Sequence, residues 1–309
     1  MRNSSIRGRA LLLGLIITIT AASVSAEDTQ VYPLVKYDYT RLNSQGLHSP
    51  GIGLLVLNDQ NMLTGFYTRH SFTDSIRFET PQVYHSIDLL FDGGSTQHRL
   101  LYLFKSEAEE PAIGGFQSLQ TAAVYGYRLV HNQRASLVLG GGLAVSDFGI
   151  ELEDGRNWPL IPVPLIRFSY ESSTINAKFD FITGPNLCLT LMPEQRFRIS
   201  GDFRMDQFRD IQDLIFELTL KYRFFDQQHP MGDLAGIEVG VKNEAFSFDI
   251  TDQDEPFELN YYSLFATLDA TLLKASGGYI FKSRERHSNQ QTISSGQGFF
   301  LSLEGMYQF

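Results

Sequence analysis

Two neighbouring stretches of this chain carry ionisable side chains at every second position. Arg196, Arg198, Ser200, Asp202, Arg204 and Asp206 alternate with Phe197, Ile199, Gly201, Phe203 and Met205, and Glu217, Thr219, Lys221 and Arg223 alternate with Phe216, Leu218, Leu220, Tyr222 and Phe224. Rows of fixed charge of both signs do the chemistry of selection: along an aqueous path they set which ions or polar solutes pass. The other chemistry to weigh is hydrolysis by an activated hydroxyl, for which His70-Ser71, His85-Ser86 and His287-Ser288-Asn289 supply the residue types. Such activation needs the base within hydrogen-bond reach of the hydroxyl and held by a third group. Adjacent residues of a strand point to opposite faces, so His70 does not pair with Ser71, nor His85 with Ser86. No catalytic residue is assigned, and the chain is not expected to be an enzyme. The seven histidines are scattered and Cys188 is the single cysteine, so no metal-ligand spacing emerges and neither metal nor cofactor is expected.

Charges at every second residue require strands, with one polar and one apolar face. Alternation and turn signals predict sixteen: 31–41, 49–58, 62–71, 81–92, 96–105, 116–130, 135–147, 159–171, 173–184, 195–207, 212–226, 233–241, 244–251, 257–268, 270–282 and 297–309. A soluble sandwich would bury the apolar face and keep its interior free of charge. Here the polar faces hold clusters that no dry core would accept, so they are expected to line a wet lumen while the apolar faces meet lipid. The expected pore-lining residues are Lys36, Asp38, Arg128, Arg167, Lys178, Asp180, Arg198, Asp202, Arg204, Glu217, Lys221 and Arg223, with Asp88, Arg99 and Glu304 on the same faces. The alternative is an internal ion-pair network that fills the barrel and conducts nothing.

The closing residues carry the clearest pattern. Phe299, Leu301, Leu303, Gly305, Tyr307 and Phe309 share one face, against Phe300, Ser302, Glu304, Met306 and Gln308. A final Phe with Tyr two residues earlier and apolar residues at alternate positions resembles the C-terminal signal of bacterial outer-membrane barrels. The resemblance implies that Tyr307 and Phe309 are read by the barrel assembly machinery. At the other end Arg2, Arg7 and Arg9 precede the apolar run 10–22 and Val24-Ser-Ala26, the pattern of a secretory signal peptide cleaved near Ala26. That run falls short of the roughly twenty residues of a membrane-spanning helix. The expected organisation is a signal peptide over 1–26 and one barrel over 27–309, in the outer membrane of a Gram-negative bacterium.

Connections support this. Short ones at 59–61, 93–95, 131–134, Ser172, 208–211, Lys242-Asn243 and Asp269 alternate with longer ones such as 72–80, 106–115, 148–158, 185–194 and 283–296. Bacterial barrels have short periplasmic turns, longer outer loops and an even strand number. Reading Lys242-Asn243 as part of one strand, with another merge or missed pairing, gives fourteen or twelve. Pro162 and Pro164 in Ile161-Pro-Val-Pro-Leu165 donate no ladder bond, so that half of the strand either bulges or stays unpaired up to Leu165.

Composition agrees. With 24 Phe and 14 Tyr against one Trp, the chain is rich in strand formers, while its mean hydropathy is only −0.13, as expected when every second residue meets lipid. A net charge of −10 and a pI near 5.2 argue against nucleic acid as a partner. The expected partners are outer-membrane lipid and lipopolysaccharide and the assembly machinery. Acidic groups at Glu107, Glu109 and Glu110, at Glu151, Glu153 and Asp154, and at Asp252, Asp254 and Glu255 are read as solvated tips or as cation bridges to lipopolysaccharide.

Two further resemblances exist. His287-Ser288-Asn289 resembles the His-Ser-Asn grouping of the outer-membrane phospholipase, but without that family's residue between His and Ser and its following Gly. Residues 164–204 are similar to uncharacterised outer-membrane barrels classed as domains of unknown function, which implies a fold and no activity. The expected fold is an all-β, transmembrane, antiparallel up-and-down β-barrel. The expected function is a passive porin-like channel for small polar solutes or ions. A non-conducting structural or surface-contact barrel and a lipid-modifying enzyme are the alternatives.

Overall fold

The computed structural model describes residues 29–43, 45–73, 81–109, 119–146, 159–182, 184–205, 214–225, 235–248, 250, 257–270, 272–286 and 292–306. They form β1 (Gln30–Leu42), β2 (Gln45–Leu57), β3 (Met62–Thr73), β4 (Val83–Gly94), β5 (His98–Ala108), β6 (Leu119–His131), β7 (Ala135–Val145), β8 (Leu160–Glu171), β9 (Ile175–Phe181), β10 (Pro185–Leu191), β11 (Phe197–Met205), β12 (Leu214–Arg223), β13 (Ala235–Phe248), β14 (Phe257–Ala270), β15 (Leu273–Arg286), the three-residue β16 (Thr292–Ser294) and β17 (Gly298–Met306). Neighbours in sequence pair antiparallel, and β17 pairs with both β15 and β1. Among the described residues the sheet therefore closes on itself with sixteen strands and no free edge strand, the three-residue β16 being a short extension beside β15.

Closure fixes the faces. Val35, Tyr37, Ile52, Leu100, Tyr125, Leu139, Phe168, Leu187, Leu220, Val239, Leu264 and Leu301 stand exposed on the outer wall. The alternate residues turn inward, and many of them are polar. Such a distribution inverts that of a soluble barrel and suits a wall surrounded by lipid. The start of β1 and the end of β17 share one rim, with Leu34 opposite Met306; this rim is called proximal and the opposite one distal.

Sixteen is the expected number, yet two of the expected strands are corrected. Residues 185–194, expected to be a loop, contain β10, where Leu187, Leu189 and Leu191 alternate with Asn186, Cys188 and Thr190 and pair with β9 and β11. Residues 233–241 and 244–251, expected as a hairpin around Lys242-Asn243, form the single strand β13. Asn243 is not a turn residue: its amide donates to the Leu214 carbonyl at 2.8 Å, and its oxygen accepts from the Phe216 N–H at 2.6 Å. It replaces ladder bonds just past the last β12–β13 pair, Glu217 with Lys242. Between these errors the expected alternation of long and short connections fails. β9 and β10 meet at the distal rim with Phe181 opposite Pro185, β11 ends and β12 begins at the distal rather than the proximal rim, and β12 ends and β13 begins at the proximal one.

The interior also departs from a uniformly wet lumen, since two apolar clusters lie inside. One gathers Leu42, Leu47, Tyr84, Phe248, Phe257, Tyr261 and Phe300 near the distal rim. The other packs Leu101, Val124, Val138, Val163, Leu165 and Ile182 into the corner made by β5 to β8. Glycine shapes that corner: a Cβ on Gly140 or Gly142 would fall onto the carbonyl oxygen of Tyr125 or Ala123, so only glycine lets β7 approach β6 so closely. Tyr307 and Phe309, the signal peptide over 1–26, and His287-Ser288-Asn289 lie outside the described residues.

Candidate functional site: the barrel lumen

Strand register stacks the inward side chains of β1, β17, β15 and β14 into rungs. The first charged rung from the proximal rim alternates in sign: Lys36 lies opposite Glu304, Glu304 opposite Lys274, and Lys274 opposite Asp269. Lys221 of β12 extends it, its ammonium 2.6 Å from Asp269. Lys36 sits 3.5 Å from Glu304 and 3.0 Å from Asp38. Opposite charges facing one another across strands stabilise the wall and cancel most of its field.

The next rung is hydroxylic: Asp38, Ser302, Ser276 and Thr267 are successive partners, and the last two hydroxyls are 2.9 Å apart. The third turns aromatic, with Thr40, Phe300, Gly278 and Phe265. Lys242 spans both chemistries. Its ammonium lies 4.5 Å from the Phe300 ring centroid and 5.4 Å from that of Phe265. It also pairs with Glu244, which accepts a hydrogen bond from the Tyr261 phenol. From the proximal rim inward, this wall thus changes from charge to hydroxyl to ring.

Rings narrow the distal end. Phe248 of β13 reaches the opposite wall, with its centroid 4.9 Å from His70 of β3 and 4.7 Å from Tyr84 of β4. His70 is held between two hydroxyls: Nδ1 is 2.9 Å from Ser49 Oγ and Nε2 2.9 Å from Ser86 Oγ. Ser71 is not its partner, as strand geometry requires. Both ring nitrogens of His70 are thus engaged by hydroxyls, and among the described residues no carboxylate is bonded to the ring.

A second charge cluster sits under the β5–β8 corner. Asp92 of β4 pairs with Arg99 and, at 2.5 Å, with Arg167 of β8, whose Nε is 2.7 Å from Asp180. This chain of alternating charge ties β4 to β9 beneath the apolar cluster.

Between these features runs a cavity of about 1050 Å³ whose lining extends from Leu34, Leu272 and Met306 at the proximal rim to Gly184, Pro185 and Met205 at the distal one. Of the twelve expected pore-lining residues, Lys36, Asp38, Arg204 and Glu217 line it. Arg167 and Asp180 belong to the second cluster, and Lys221 to the first rung. Asp202 accepts from the Cys188 thiol at 2.8 Å, and Lys178 stands 4.0 Å from Glu171. Arg198 lies opposite Lys221. Arg128 is inward, with Nε unpartnered among the described residues. Arg223 is buried and turned to the proximal rim, where it donates to the carbonyls of Pro193 and Gln195, so it locks a turn and lines no path. Lys242, Glu244 and Asp269 went unassigned because their segments read as turns. Alternation excludes Ser71 as the partner of His70 but does not point to Ser49 and Ser86, which come from other strands.

No family model and no curated protein matches the chain, so the likeness of 164–204 to uncharacterised barrels has no family match behind it. Similar solved structures include OccAB3 of Acinetobacter baumannii, at 9% identity and a TM-score of 0.41 over 93% of this chain and 100% of that one. A triple mutant of the Rhodopseudomonas blastica porin has 8% identity and a TM-score of 0.41 over 91% and 99%. OccK5 of Pseudomonas aeruginosa has 12% identity and a TM-score of 0.37 over 91% and 98%. No residue role is transferred from them.

Proposed function

We propose that the chain is a porin-like barrel of a Gram-negative outer membrane, a passive channel for small polar solutes or ions. The observation that carries this reading is the cavity lined from rim to rim, with Lys36, Asp38, Asp88, Glu217 and Glu304 on its walls, inside a barrel whose outer face is apolar. Charges on a dry core would cost several kcal/mol each unless paired. Asp88 and Arg204 are exposed within the barrel, which supports a water-filled path. The apolar outer wall would contact lipid and lipopolysaccharide, and Tyr307 and Phe309 would be read by the assembly machinery. Planar bilayers test the proposal: refolded, heat-modifiable protein is expected to insert in discrete conductance steps, and a folded barrel that never conducts overturns it.

A further inference from the structure

Charge on the outer wall is confined to one sector. Among the described strand residues, the only Lys, Arg, Asp or Glu side chains at outward-facing positions are Arg41 of β1, Arg69 of β3, Glu258 of β14 and Lys282, Arg284 and Arg286 of β15. All lie toward the distal rim, beyond the exposed Leu264, Tyr279 and Leu301. Five are cations in a chain of net charge −10. The single acid, Glu258, is 3.6 Å from Arg286, which leaves the other four without an acid on that face.

This placement is built into β15. Up to Tyr279 its odd-numbered residues face outward. Ser263 then pairs with Ile280 and Tyr262 with Lys282, so Phe281 is an extra residue, a β-bulge that re-aims every side chain after it. Lys282, Arg284 and Arg286 are turned outward opposite Tyr262, Asn260 and Glu258, while Ser283 and Glu285 are buried. A strand without the bulge would turn the three cations inward, to the side of Leu259, Tyr261 and Phe257.

Arg41 lies two strands away, across β17: it is opposite Phe299, and Phe299 is opposite Tyr279. Two strand spacings are about 10 Å, so Arg41 and the β15 column flank the Phe299 ring. Tyr39 meets that ring edge-on at 5.9 Å, and the Lys282 ammonium lies 5.7 Å from the Tyr262 centroid. Rings of this kind mark the lipid–water boundary, which sets the cations at head-group height. Gaps between strands are short proximally, after β2, β4 and β6, and longer distally, after β3, β5 and β7, the pattern of a barrel whose distal rim faces outward.

We propose that this sector is a docking surface for the phosphate groups of an outer-leaflet lipid of the lipid A class, whose acyl chains lie on the rings below. Arg41 and Arg284 have no side-chain partner among the described residues, and a guanidinium takes a phosphate bidentately. Lys282 and Arg69 add charge on either side. The proposal rests on the membrane reading above and names within it one head-group chemistry and one face of the barrel.

The full chain, folded and heat-modifiable in dodecyl maltoside, is titrated with diphosphoryl lipid A or with the same lipid freed of its phosphates, and bound lipid is read by native mass spectrometry. The phosphorylated form is expected to bind saturably and the phosphate-free form not to, and excess inorganic phosphate is expected to leave the complex intact. Arg41→Gln with Arg284→Gln should weaken binding about thirtyfold, while Arg41→Lys with Arg284→Lys retains most of it. Lys178→Gln with Arg204→Gln, which removes the same charge from the lumen, should not change it. Equal binding of both lipids by the native protein, full displacement by inorganic phosphate, or an equal loss in the luminal variant overturns the surface. A smaller oligomer in the outer variant on gel filtration also overturns it, since a second copy of the chain would then cover this face. Flotation with phosphatidylcholine vesicles checks the membrane reading by itself. A barrel that does not float loses that reading and the proposal with it, whereas one that floats but fails the lipid A comparison loses the proposal alone.

Discussion

Phe248 of β13 stacks on Tyr84 of β4 with ring centroids 4.7 Å apart and 24° between the planes, although the two strands are not neighbours in the sheet. Their contact crosses the lumen. Phe72 and Phe257 complete the cluster at 5.5 Å from one another, edge to face. A constriction in a barrel is readily imagined as an inward-folded loop. Here side chains of the wall itself narrow the distal end.

Phe248→Ala is expected to do two things. Removing a fully buried ring should destabilise the barrel by about 3–5 kcal/mol, as for other buried Phe→Ala changes, measured by urea unfolding in detergent. It should also raise single-channel conductance by parting the rings that meet across the distal end. Lower stability with unchanged conductance would place the conducting path elsewhere in the cross-section.

Selectivity follows from the lining. Asp38, Asp88, Glu107, Glu217, Glu244, Asp269 and Glu304 stand against Lys36, Lys105, Arg204, Lys242 and Lys274 along the cavity. Most are matched across strands, so the residual field is small and favours cations. A tenfold KCl gradient should give a reversal potential of cation-selective sign, and Asp88→Lys with Glu217→Lys should invert it. An anion-selective native channel would contradict this assignment.

The architecture was legible because alternation survives wherever a strand faces lipid outside and something polar inside. Phe299 to Met306 and Phe197 to Met205 needed no further context. One strand was missed and another split, for opposite reasons. Pro185 and the Met192-Pro193 pair hide the short β10 behind turn residues; Met192 does take a left-handed φ of 54° in the turn that follows. Lys242-Asn243 imitates a turn in the middle of β13 because Asn has that propensity, while its actual partners sit on β12. Among site residues, position on a strand predicted the face of Lys36, Arg204 and Glu217. It could not predict which charges neutralise each other. Arg167 with Asp92, or Phe248 with His70, meet only after closure, and no local pattern encodes that.

Asn243→Ala is expected to free the Phe216 N–H and the Leu214 carbonyl together, at about 1–3 kcal/mol per unsatisfied group. Hydrogen exchange reads the local effect. The Phe216 amide should lose protection, while amides in the intact Leu218–Val241 region of the ladder keep theirs. Asn243→Asp should restore protection of Phe216, since a carboxylate still accepts, but leave Leu214 without a donor.

Asp269→Asn tests whether the charged rung is structural. Lys221 is 7% exposed, and its ammonium lies 2.6 Å from the Asp269 carboxylate. A neutral partner leaves this cation poorly compensated, which should cost about 3 kcal/mol, the low end for a broken buried pair because Asp269 keeps some contact with water. Replacing both groups by apolar residues, Lys221→Met with Asp269→Leu, removes the stranded charge and should recover most of that loss. The double-mutant cycle then isolates the pair energy from the cost of burying either group alone. If both single variants and the double variant unfold at the native urea concentration, the rung carries no stability, and its alternating charges act on the permeating ion alone. In that case the same variants should still alter conductance, since Asp269 lines the cavity.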